Sequence, residues 1–493
     1  MAAPIRISKS DYVLGQKCPR ALWLKKHRPD IVPEKNEVVL ARGTAVGELA
    51  CDYYPGGVRI TALPWTDEAL VQTRAAIESN APAIYEATFA TDTGEYCAVD
   101  ILVNNGDGTW NIVEVKSTTH AKDYHYIDVS FQRYVLLHCG INVRDCFVMT
   151  LNSDYVRHGD LNIHELYKLW PAAEFLQDTD FVAHQVARLH EYLSGDEPNV
   201  ALSKATRGRF YTCGYCHHCW ANIPKYSVFK AFRNPLADKI YNMYGPDLHD
   251  VPATEYMGKS CAADIIAFLN NTDITDRAAL AEFTSKLQYP LYFLDYESIQ
   301  PAIPMFDNSR PYQQICFQFH LIVQPEPDAP LIEYGYLHQE SGTDPRPKLI
   351  EHLIKTCGDH GSVVVYNRGF EQGRNSEMAR DFPQYADALN AINNRVVDLL
   401  EPFKKRALYR PCQNGSVSIK ATLPAFVPEM SYQNLGIHNG TEASDQFMAF
   451  MTGQQTPDQT TEMMLNLHEY CGQDVMAMVR LLDVIMEKIS QSD

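Results

Sequence analysis

Three evenly spaced cysteines constrain the fold of this chain more than any other feature of its sequence. Cys213, Cys216 and Cys219 lie in the segment RFYTCGYCHHCW. A bound metal ion or metal cluster usually has four protein ligands, so the fold must bring one more ligand to this segment. The candidates are His217 and His218 within it, or one of the ten cysteines that lie elsewhere among the thirteen of the chain.

Length and composition predict a folded chain of more than one domain. With 493 residues, the chain is too long for a single ordinary hydrophobic core. Its first residues, MAAPIRISKSDYVLGQKCPR, lack the apolar run of a secretory leader, and no stretch of about 18 apolar residues follows. We therefore expect a cytoplasmic protein without membrane contact, whose cysteines are buried thiols and metal ligands rather than disulfides.

The pattern of apolar segments predicts an α/β chain with two mixed-sheet domains and a helical bridge. In the first domain, residues 1–225, the turn NNGDGT separates the predicted strands YCAVDILV and WNIVEVKS, and the helix YIDVSFQRYVLLHCG follows. Residues 226–285 have a mostly helical pattern. The second domain, residues 286–493, opens with the predicted strand YPLYFLDYES and closes with the helix TTEMMLNLHEYCGQDVMAMVRLLDVIMEKI.

The predicted hairpin of the first domain carries Asp100 on one strand and Glu114 and Lys116 on the next. Alternation places Glu114 and Lys116 on one face, and the hairpin can bring Asp100 beside them. Two close carboxylates can hold Mg²⁺ or Mn²⁺, and a neighbouring lysine can activate water or stabilise the charge on a phosphate. For Glu-x-Lys alone, a salt bridge on a strand surface is the simpler alternative.

The order of these residues, followed by a helix with Gln132 and Tyr134, resembles the RecB-like PD-(D/E)XK nucleases. Among them it is similar to the iron–sulfur members that include the CRISPR-associated exonucleases. The resemblance implies a restriction-endonuclease-like fold, catalytic roles for Asp100, Glu114 and Lys116, and nucleic-acid contacts at Gln132 and Tyr134. The relatives often have Gln-x-x-x-Tyr, whereas here a single residue separates the two.

The same resemblance implies a cofactor and a third metal ligand. One cysteine near the N-terminus, here Cys18, and the three late cysteines would hold a [4Fe–4S] cluster, with Zn²⁺ as the alternative. Where the relatives often have a metal-binding histidine, this chain has the segment RGTAVGELA, so Glu48 is the expected substitute ligand. Glu86 is either a further acid near the metal or a charge at the end of a strand.

A second group of acidic residues belongs to the second domain. Asp295 and Glu297 share one face of a predicted strand, and Tyr470 and Asp474 share one face of the last helix. This order resembles the DEDD exonucleases of the RNase H-like fold, in the subclass with Tyr-x-x-x-Asp. The resemblance implies that Asp295, Glu297 and Asp474 bind two Mg²⁺ or Mn²⁺ ions and that Tyr470 orients the attacking water.

The remaining acid of this second group has two candidates. The family usually has an aspartate after an aromatic residue, and this chain has Glu371 in the segment VVVYNRGFE. Asp398 in RVVDLLEPF is the rival ligand or a supporting residue. The segment GSVSIKATLPAF resembles the Ser-Leu-Lys stretch of the same superfamily, which implies that Lys420 contacts substrate phosphate.

Nearly the whole chain resembles a bacterial family of RecB-like nucleases joined to an RNase H-like exonuclease domain. This implies a phosphodiester hydrolase acting on DNA, single-stranded or with a free end, in DNA repair or in defence against foreign DNA. The net charge of −18 argues against nonspecific attraction to nucleic acid, although KCPRALWLKKHR and FKKRALYR are locally basic. The alternatives are one active domain with the other as a nucleic-acid clamp, a 3′–5′ exonuclease that processes RNA, or a zinc-stabilised scaffold without activity. The sequence favours no oligomeric state.

Overall fold

The computed structural model describes residues 5–34, 36–208 and 212–491 and contains two compact units. Unit 1 comprises Met1–Ile223 and Ala302–Tyr312, and unit 2 comprises Pro224–Pro301 and Gln313–Asp493. Each unit is α/β and is built on an open mixed sheet, which confirms the predicted fold class at this level. Residues 226–285, predicted as a bridge, belong to unit 2, and a short segment of the second predicted domain belongs to unit 1.

Unit 1 is built around one long sheet with helices on both faces. Its strands are β1 (Ile7–Ser8), β2 (Val58–Arg59), β3 (Ala83–Ala90), β4 (Glu95–Asn104), β5 (Trp110–Lys116), β6 (Val143–Leu151) and β7 (Tyr167–Pro171). Its helices are α1 (Lys9–Lys17), α2 (Pro19–His27), α3 (Glu37–Ala50), α4 (Asp67–Glu78), α5 (Asp123–His138), α6 (Ile163–Leu166), α7 (Thr179–Ser194), α8 (Lys204–Gly208) and α9 (Cys216–Cys219), with 3-10 turns at Cys51–Tyr53 and Ala173–Phe175.

The predicted hairpin is the centre of this sheet. The strand order is β2-β3-β4-β5-β6-β7, and β1 adds to β4. Strands β3, β4 and β5 are antiparallel, whereas β6 returns parallel to β5 after the crossover helix α5. Gly106 and Gly108 adopt left-handed φ angles in the β4–β5 turn, where a side chain would be strained. The turn therefore fixes the register that brings Asp100 next to the Glu114 strand.

The regular alternation of β4 breaks at Asp100. Val99 and Leu102 pack into the same core beneath α5, although two residues lie between them, an even number that regular alternation would place on opposite faces. Opposite this point on β3, Glu86 has a left-handed φ of +59°, which is uncommon for a residue other than glycine. The distortion lies at the acidic residues themselves, as strained backbone often does at functional sites.

A segment from the connection between two strands of unit 2, residues 302–312, completes the other core of unit 1. Ala302 is buried in the apolar cluster on the sheet face opposite α5. The Arg157 guanidinium donates hydrogen bonds to the carbonyl oxygens of Pro304 (2.9 Å) and Met305 (3.0 Å). The Tyr312 hydroxyl donates to the carbonyl oxygen of Ser117, which directly follows β5. This inserted segment is therefore a structural part of unit 1.

Unit 2 is built around a second mixed sheet, with helices on both faces. The strands of unit 2 are β8 (Ile274–Thr275), β9 (Leu291–Ile299), β10 (Ile315–Gln324), β11 (Ile332–Leu337), β12 (Ser362–Val365), β13 (Val396–Asp398) and β14 (Leu408–Tyr409). Strands β8 and β14 pair in a separate two-stranded sheet. Its helices are α10 (Val228–Ala231), α11 (Leu236–Tyr244), α12 (Ala262–Asn270), α13 (Arg277–Thr284), α14 (Arg346–Thr356), α15 (Arg368–Asp381), α16 (Ala386–Asn393), α17 (Leu400–Lys404), α18 (Ile419–Phe426), α19 (Gly440–Met451) and α20 (Pro457–Ser490), with 3-10 turns at Leu248–Asp250, Ala253–Glu255, Pro383–Tyr385, Pro411–Gln413 and Tyr432–Asn434.

Strand β9 is central in this sheet and is covered on both faces. The order is β11-β10-β9-β12-β13, with β10 antiparallel to β9 and β12 parallel to it. Phe293 packs with Val475 of α20, whereas Leu294 packs into the core on the opposite face. Alternation therefore turns Asp295 and Glu297 toward α20. None of the helices in the described residues has the length and apolar character needed to cross a bilayer.

Candidate active sites and cysteine cavity

Three carboxylates meet at the centre of unit 2. Asp295 and Glu297 of β9 and Asp474 of α20 each offer one oxygen, and these oxygens lie within 4.8 Å of one another. Burial raises the pKa of all three carboxyls, and the charge of Asp474 raises that of Asp295 further. Like charges at this separation repel strongly away from water. This acidic cluster therefore requires bound cations or protons.

Glu371 provides a fourth carboxyl near the acidic cluster, close enough for the charge of Asp295 to act on it. It lies in the first turn of α15 and is only 3% exposed. Its Oε2 atom has no hydrogen-bond partner among the described residues. Burial, together with the charge of Asp295, raises the pKa of Glu371 to about 9. A buried carboxyl oxygen without a partner is costly, so Glu371 is available for a ligand.

Asp398, the rival candidate, already has backbone partners. Its Oδ1 atom accepts hydrogen bonds from the amides of Asn367 (2.9 Å) and Leu400 (3.0 Å). These bonds tie the end of β13 to the residue before α15 and to the start of α17. Asp398 thus supports the helix that carries Glu371, and Glu371 is the better placed of the two acids for metal binding.

Lys420, Tyr470 and Tyr432 form a polar edge beside the acidic cluster. The Lys420 ammonium donates to the Tyr470 hydroxyl (2.8 Å) and to the carbonyl oxygen of His438 (2.7 Å). The Tyr432 hydroxyl donates to Asp474. Burial and the charge of Asp474 raise the pKa of both tyrosines, so they remain protonated donors. The structure thus groups Lys420 and Tyr470 as the sequence predicts, and it adds Tyr432.

In unit 1, Glu114 and Lys116 form a buried network with residues of α5. Glu114 is 1% exposed and accepts hydrogen bonds from Lys116 and from the Gln132 amide (2.8 Å). Lys116 also donates to Asp128 (2.7 Å), which accepts a bond from Gln132 (3.0 Å). Asp128 was not identified from the sequence, although it lies one helical turn before Gln132 on the same face.

Lys9 is the second residue of this site that sequence reasoning missed. Its ammonium nitrogen lies 3.0 Å from Asp100 Oδ1 and 3.0 Å from Glu114 Oε2, so one cation contacts both predicted metal ligands. Burial and the Glu114 charge raise the pKa of Asp100 to about 7. Burial alone would raise the pKa of Glu114, but Lys116 and Lys9 hold it below its usual value. We call Lys9, Asp100, Glu114, Lys116 and Asp128 the acid–lysine network.

Three other predicted residues lie at different places in unit 1. Glu48 has an exposed side chain on α3, and within residues 36–208 the structure gives it no interaction with the acid–lysine network. Tyr134 is buried and stacks on Phe131 in the core, which leaves little surface for a nucleic acid. Glu86 lies on β3 opposite Asp100; burial raises its pKa, and the charges of Lys9 and Glu114 act on it in opposite directions.

The four predicted cysteines line one cavity in unit 1, with a volume of about 40 Å³. Cys18 lies at the junction of α1 and α2, Cys216 and Cys219 lie on α9, and Cys213 precedes that helix. Among the described residues, the cavity lining includes Cys18 but neither of the two histidines of α9. Burial raises the pKa of the Cys213 and Cys219 thiols. Cys18 is thus the fourth candidate ligand.

Comparison with known proteins relates the centre of the chain to a family without an assigned activity. Residues 292–418 match the family described as "Domain of unknown function (DUF2779)". This range holds Asp295, Glu297, Glu371 and Asp398, and it ends before Lys420. The match covers about a quarter of the chain and therefore relates one segment, including Asp295 and Glu297 but not Asp474 of the acidic cluster, to that family.

The chain is also similar to curated proteins of Mycoplasma genitalium and Ureaplasma parvum. "Uncharacterized protein MG366" of Mycoplasma genitalium is 28% identical over 229 residues, which cover 42% of this chain and 34% of that protein. "Uncharacterized protein UU173" of Ureaplasma parvum is 26% identical over 244 residues, or 45% of this chain and 35% of that protein. The chain thus spans about a third of the length of these curated relatives.

Proposed function

We propose that this chain is a metal-dependent nuclease whose principal active site is the acidic cluster of unit 2. The observation that carries the proposal is the approach of the Asp295, Glu297 and Asp474 oxygens to within 4.8 Å of one another. Glu371, on which the charge of Asp295 acts, adds a carboxyl oxygen without a partner among the described residues. Such a set of oxygen ligands fits Mg²⁺ or Mn²⁺. The strand order β11-β10-β9-β12-β13, with β12 and β13 parallel to β9, supports an RNase H-like fold.

The residues around the acidic cluster fit phosphodiester hydrolysis. Divalent ions bound there would supply a hydroxide nucleophile and stabilise the leaving oxygen. Tyr470 keeps its proton and is held by Lys420, so its hydroxyl can orient a water molecule beside Asp474. Tyr432 donates a hydrogen bond to Asp474 and fixes the orientation of that carboxylate. Lys420 supplies positive charge for a substrate phosphate.

The acid–lysine network supports a second nuclease centre in unit 1. The sequence of α4, the antiparallel strands β3–β5, the crossover α5 and the parallel β6 supports a PD-(D/E)XK fold. Asp100 and Glu114 are close enough for one ammonium group to contact both, so the pair also fits one divalent ion. Lys116 would then stabilise negative charge on the reacting phosphate, while Gln132 fixes the Glu114 carboxylate.

For the cysteine cavity, we propose a [4Fe–4S] cluster rather than zinc. In a tetrahedral site with Zn–S bonds of about 2.3 Å, the sulfurs lie about 3.8 Å apart. No three cysteine sulfurs of the described residues lie within 4.8 Å of one another. Lys17, Arg20 and Arg207 also line the cavity and would offset the negative charge of a thiolate-ligated cluster. Such a cluster would tie Cys18 to the α9 region and stabilise unit 1.

Cleavage of labelled single strands tests the nuclease proposal. The protein is purified without oxygen and incubated with 5′- or 3′-labelled DNA in Mg²⁺ or Mn²⁺, and RNA is tested in parallel. Asp295→Asn and Asp100→Asn are expected to lower cleavage by their own unit at least about 100-fold, and the double variant is expected to be inactive. Asp458→Asn and Asp154→Asn are matched exposed controls. Equal cleavage by the wild type and the double variant would contradict the proposal, and cleavage of RNA alone would reassign the substrate.

A further inference from the structure

The two candidate sites differ in where their nearest lysine is placed. In unit 2, Lys420 donates to Tyr470 and to a backbone carbonyl, so its ammonium does not lie between the carboxylate oxygens of the acidic cluster. In unit 1, Lys9 contacts Asp100 Oδ1 at 3.0 Å and both Glu114 oxygens at 3.0 and 3.1 Å. The Lys9 ammonium therefore lies between the oxygens that a divalent ion would need.

We infer that Lys9 is a built-in cation of the unit 1 site that competes with the divalent metal ion for Asp100 and Glu114. This inference rests on the proposed nuclease function of unit 1. Both cations bind the same carboxylate oxygens, and two positive ions cannot share them at contact distance. Metal binding at unit 1 therefore requires the Lys9 side chain to leave, whereas the acidic cluster of unit 2 needs no such exchange.

The backbone of Lys9 is fixed, so that the exchange is confined to its side chain. β1 pairs with β4 immediately before Lys9. Ser8 and Asp11 form a capping box at the start of α1. Asp11 is buried and pairs with Lys25 and Lys26, each at 2.6 Å. A flexible side chain of four methylene groups on a rigid helix start can release its two carboxylates without any backbone movement.

Two consequences distinguish this arrangement from a purely structural ion pair. Unit 1 should bind divalent ions more weakly than unit 2, so it should become active only at higher metal concentration. Removing the Lys9 charge should then tighten metal binding, whereas loss of a structural ion pair would leave it unchanged or weaken it. We expect Lys9→Met to lower the dissociation constant for Mn²⁺ at unit 1 by about tenfold or more, the equivalent of one charge-assisted hydrogen bond.

Direct Mn²⁺ binding to the full-length protein tests the inference. A background of Asp295→Asn with Asp474→Asn removes the unit 2 site, and Mn²⁺ is titrated by calorimetry or by the EPR signal of the free ion. Lys9→Met is compared with Lys9→Arg, which keeps the charge, and with Lys168→Met, an exposed lysine of the same unit. Circular dichroism verifies folding, and Lys9→Gln replaces Lys9→Met if the latter does not fold.

Tighter binding in Lys9→Met alone, with half-maximal cleavage at lower Mn²⁺, is the expected result. An unchanged or weakened Mn²⁺ affinity in folded Lys9→Met, while Asp100→Asn still abolishes binding, would overturn the role of Lys9 and leave the nuclease proposal intact. If neither the background protein nor Lys9→Met binds Mn²⁺ at unit 1, the metal site itself is refuted, and the inference is refuted with it.

Discussion

Replacing Glu371 by glutamine should change how the stability of unit 2 depends on pH. In an unfolded chain a glutamate carboxyl ionises near its ordinary value of 4.5, whereas burial and the Asp295 charge raise the pKa of Glu371 to about 9 in the fold. Between these two values the folded protein holds a proton that the unfolded chain has lost. Stability from this group is therefore fully present below pH 4.5 and is lost as pH rises toward 9.

The size of the effect follows from this window. Between these two pKa values, each increase of one pH unit lowers the free energy of unfolding by about 1.4 kcal/mol. Glu371 alone should therefore lower it by about 3 kcal/mol between about pH 5.5 and about pH 7.5. Glu371→Gln cannot ionise and should lack this decline. Any change in hydrogen bonding at the new amide does not depend on pH, so the difference in slope isolates the ionisation.

The distribution of tryptophans allows the two units to be followed separately. All five tryptophans lie before residue 224, so tryptophan fluorescence reports on unit 1, and far-ultraviolet circular dichroism also reports on unit 2. Urea unfolding is measured at several pH values with a chelator present. Glu282→Gln, on an exposed position of α13, is the matched control and should follow the wild-type slope.

Two results would refute this reasoning. Parallel pH dependence of wild type and Glu371→Gln in the circular dichroism transition would mean that Glu371 is not held protonated by burial. Failure of excess Mn²⁺ to flatten the wild-type slope would mean that the ion does not stabilise the Glu371 carboxylate. In either case the assignment of Glu371 to the acidic cluster would be lost.

Two further predictions concern unit 1. Cys216→Ser should lower the iron content of anaerobically purified protein from about four atoms per chain to less than one, as measured by metal analysis; an unchanged iron content, or zinc in the wild type, would contradict the cluster. Arg157→Ala should destabilise unit 1 by about 2 kcal/mol, because two carbonyl oxygens of the inserted segment lose their charged donor. The tryptophan fluorescence transition in urea measures this change, and Arg144→Ala, a more exposed arginine of the same unit, should leave it within about 0.5 kcal/mol.

The parts of the sites that depend on local periodicity could be predicted from the sequence. Asp295 and Glu297 share a face because a strand repeats every two residues, and Tyr470 and Asp474 share one because a helix repeats every 3.6. Such patterns are fixed within one element and need no knowledge of the tertiary fold. Glu371 could likewise be placed at a helix start after a buried strand.

The parts that depend on long-range packing could not be predicted. Lys9 reaches Asp100 across 91 residues of sequence, and no local pattern distinguishes it from any other lysine at a helix start. The alternation of β4 breaks at Asp100, so the pattern of a regular strand assigns the residues after Asp100 to the wrong face of the sheet. Tyr134 follows the expected motif only approximately, and the helix geometry turns it into the core while Gln132 faces Glu114.

Because of the inserted segment, residues 302–312, the coding sequence cannot be divided at one point so that both units keep all of their packing partners. A fragment ending at residue 225 would contain unit 1 without Ala302, and the apolar cluster that buries Val113 and Met149 would lose part of its cover. Recombination at a single join could not transfer unit 1 intact to another protein, and unit 2 would be transferred with an inserted segment that had lost its packing partners. An insertion or deletion between β9 and β10 would disturb the packing of both units. The length of that connection is therefore constrained by two folds rather than one.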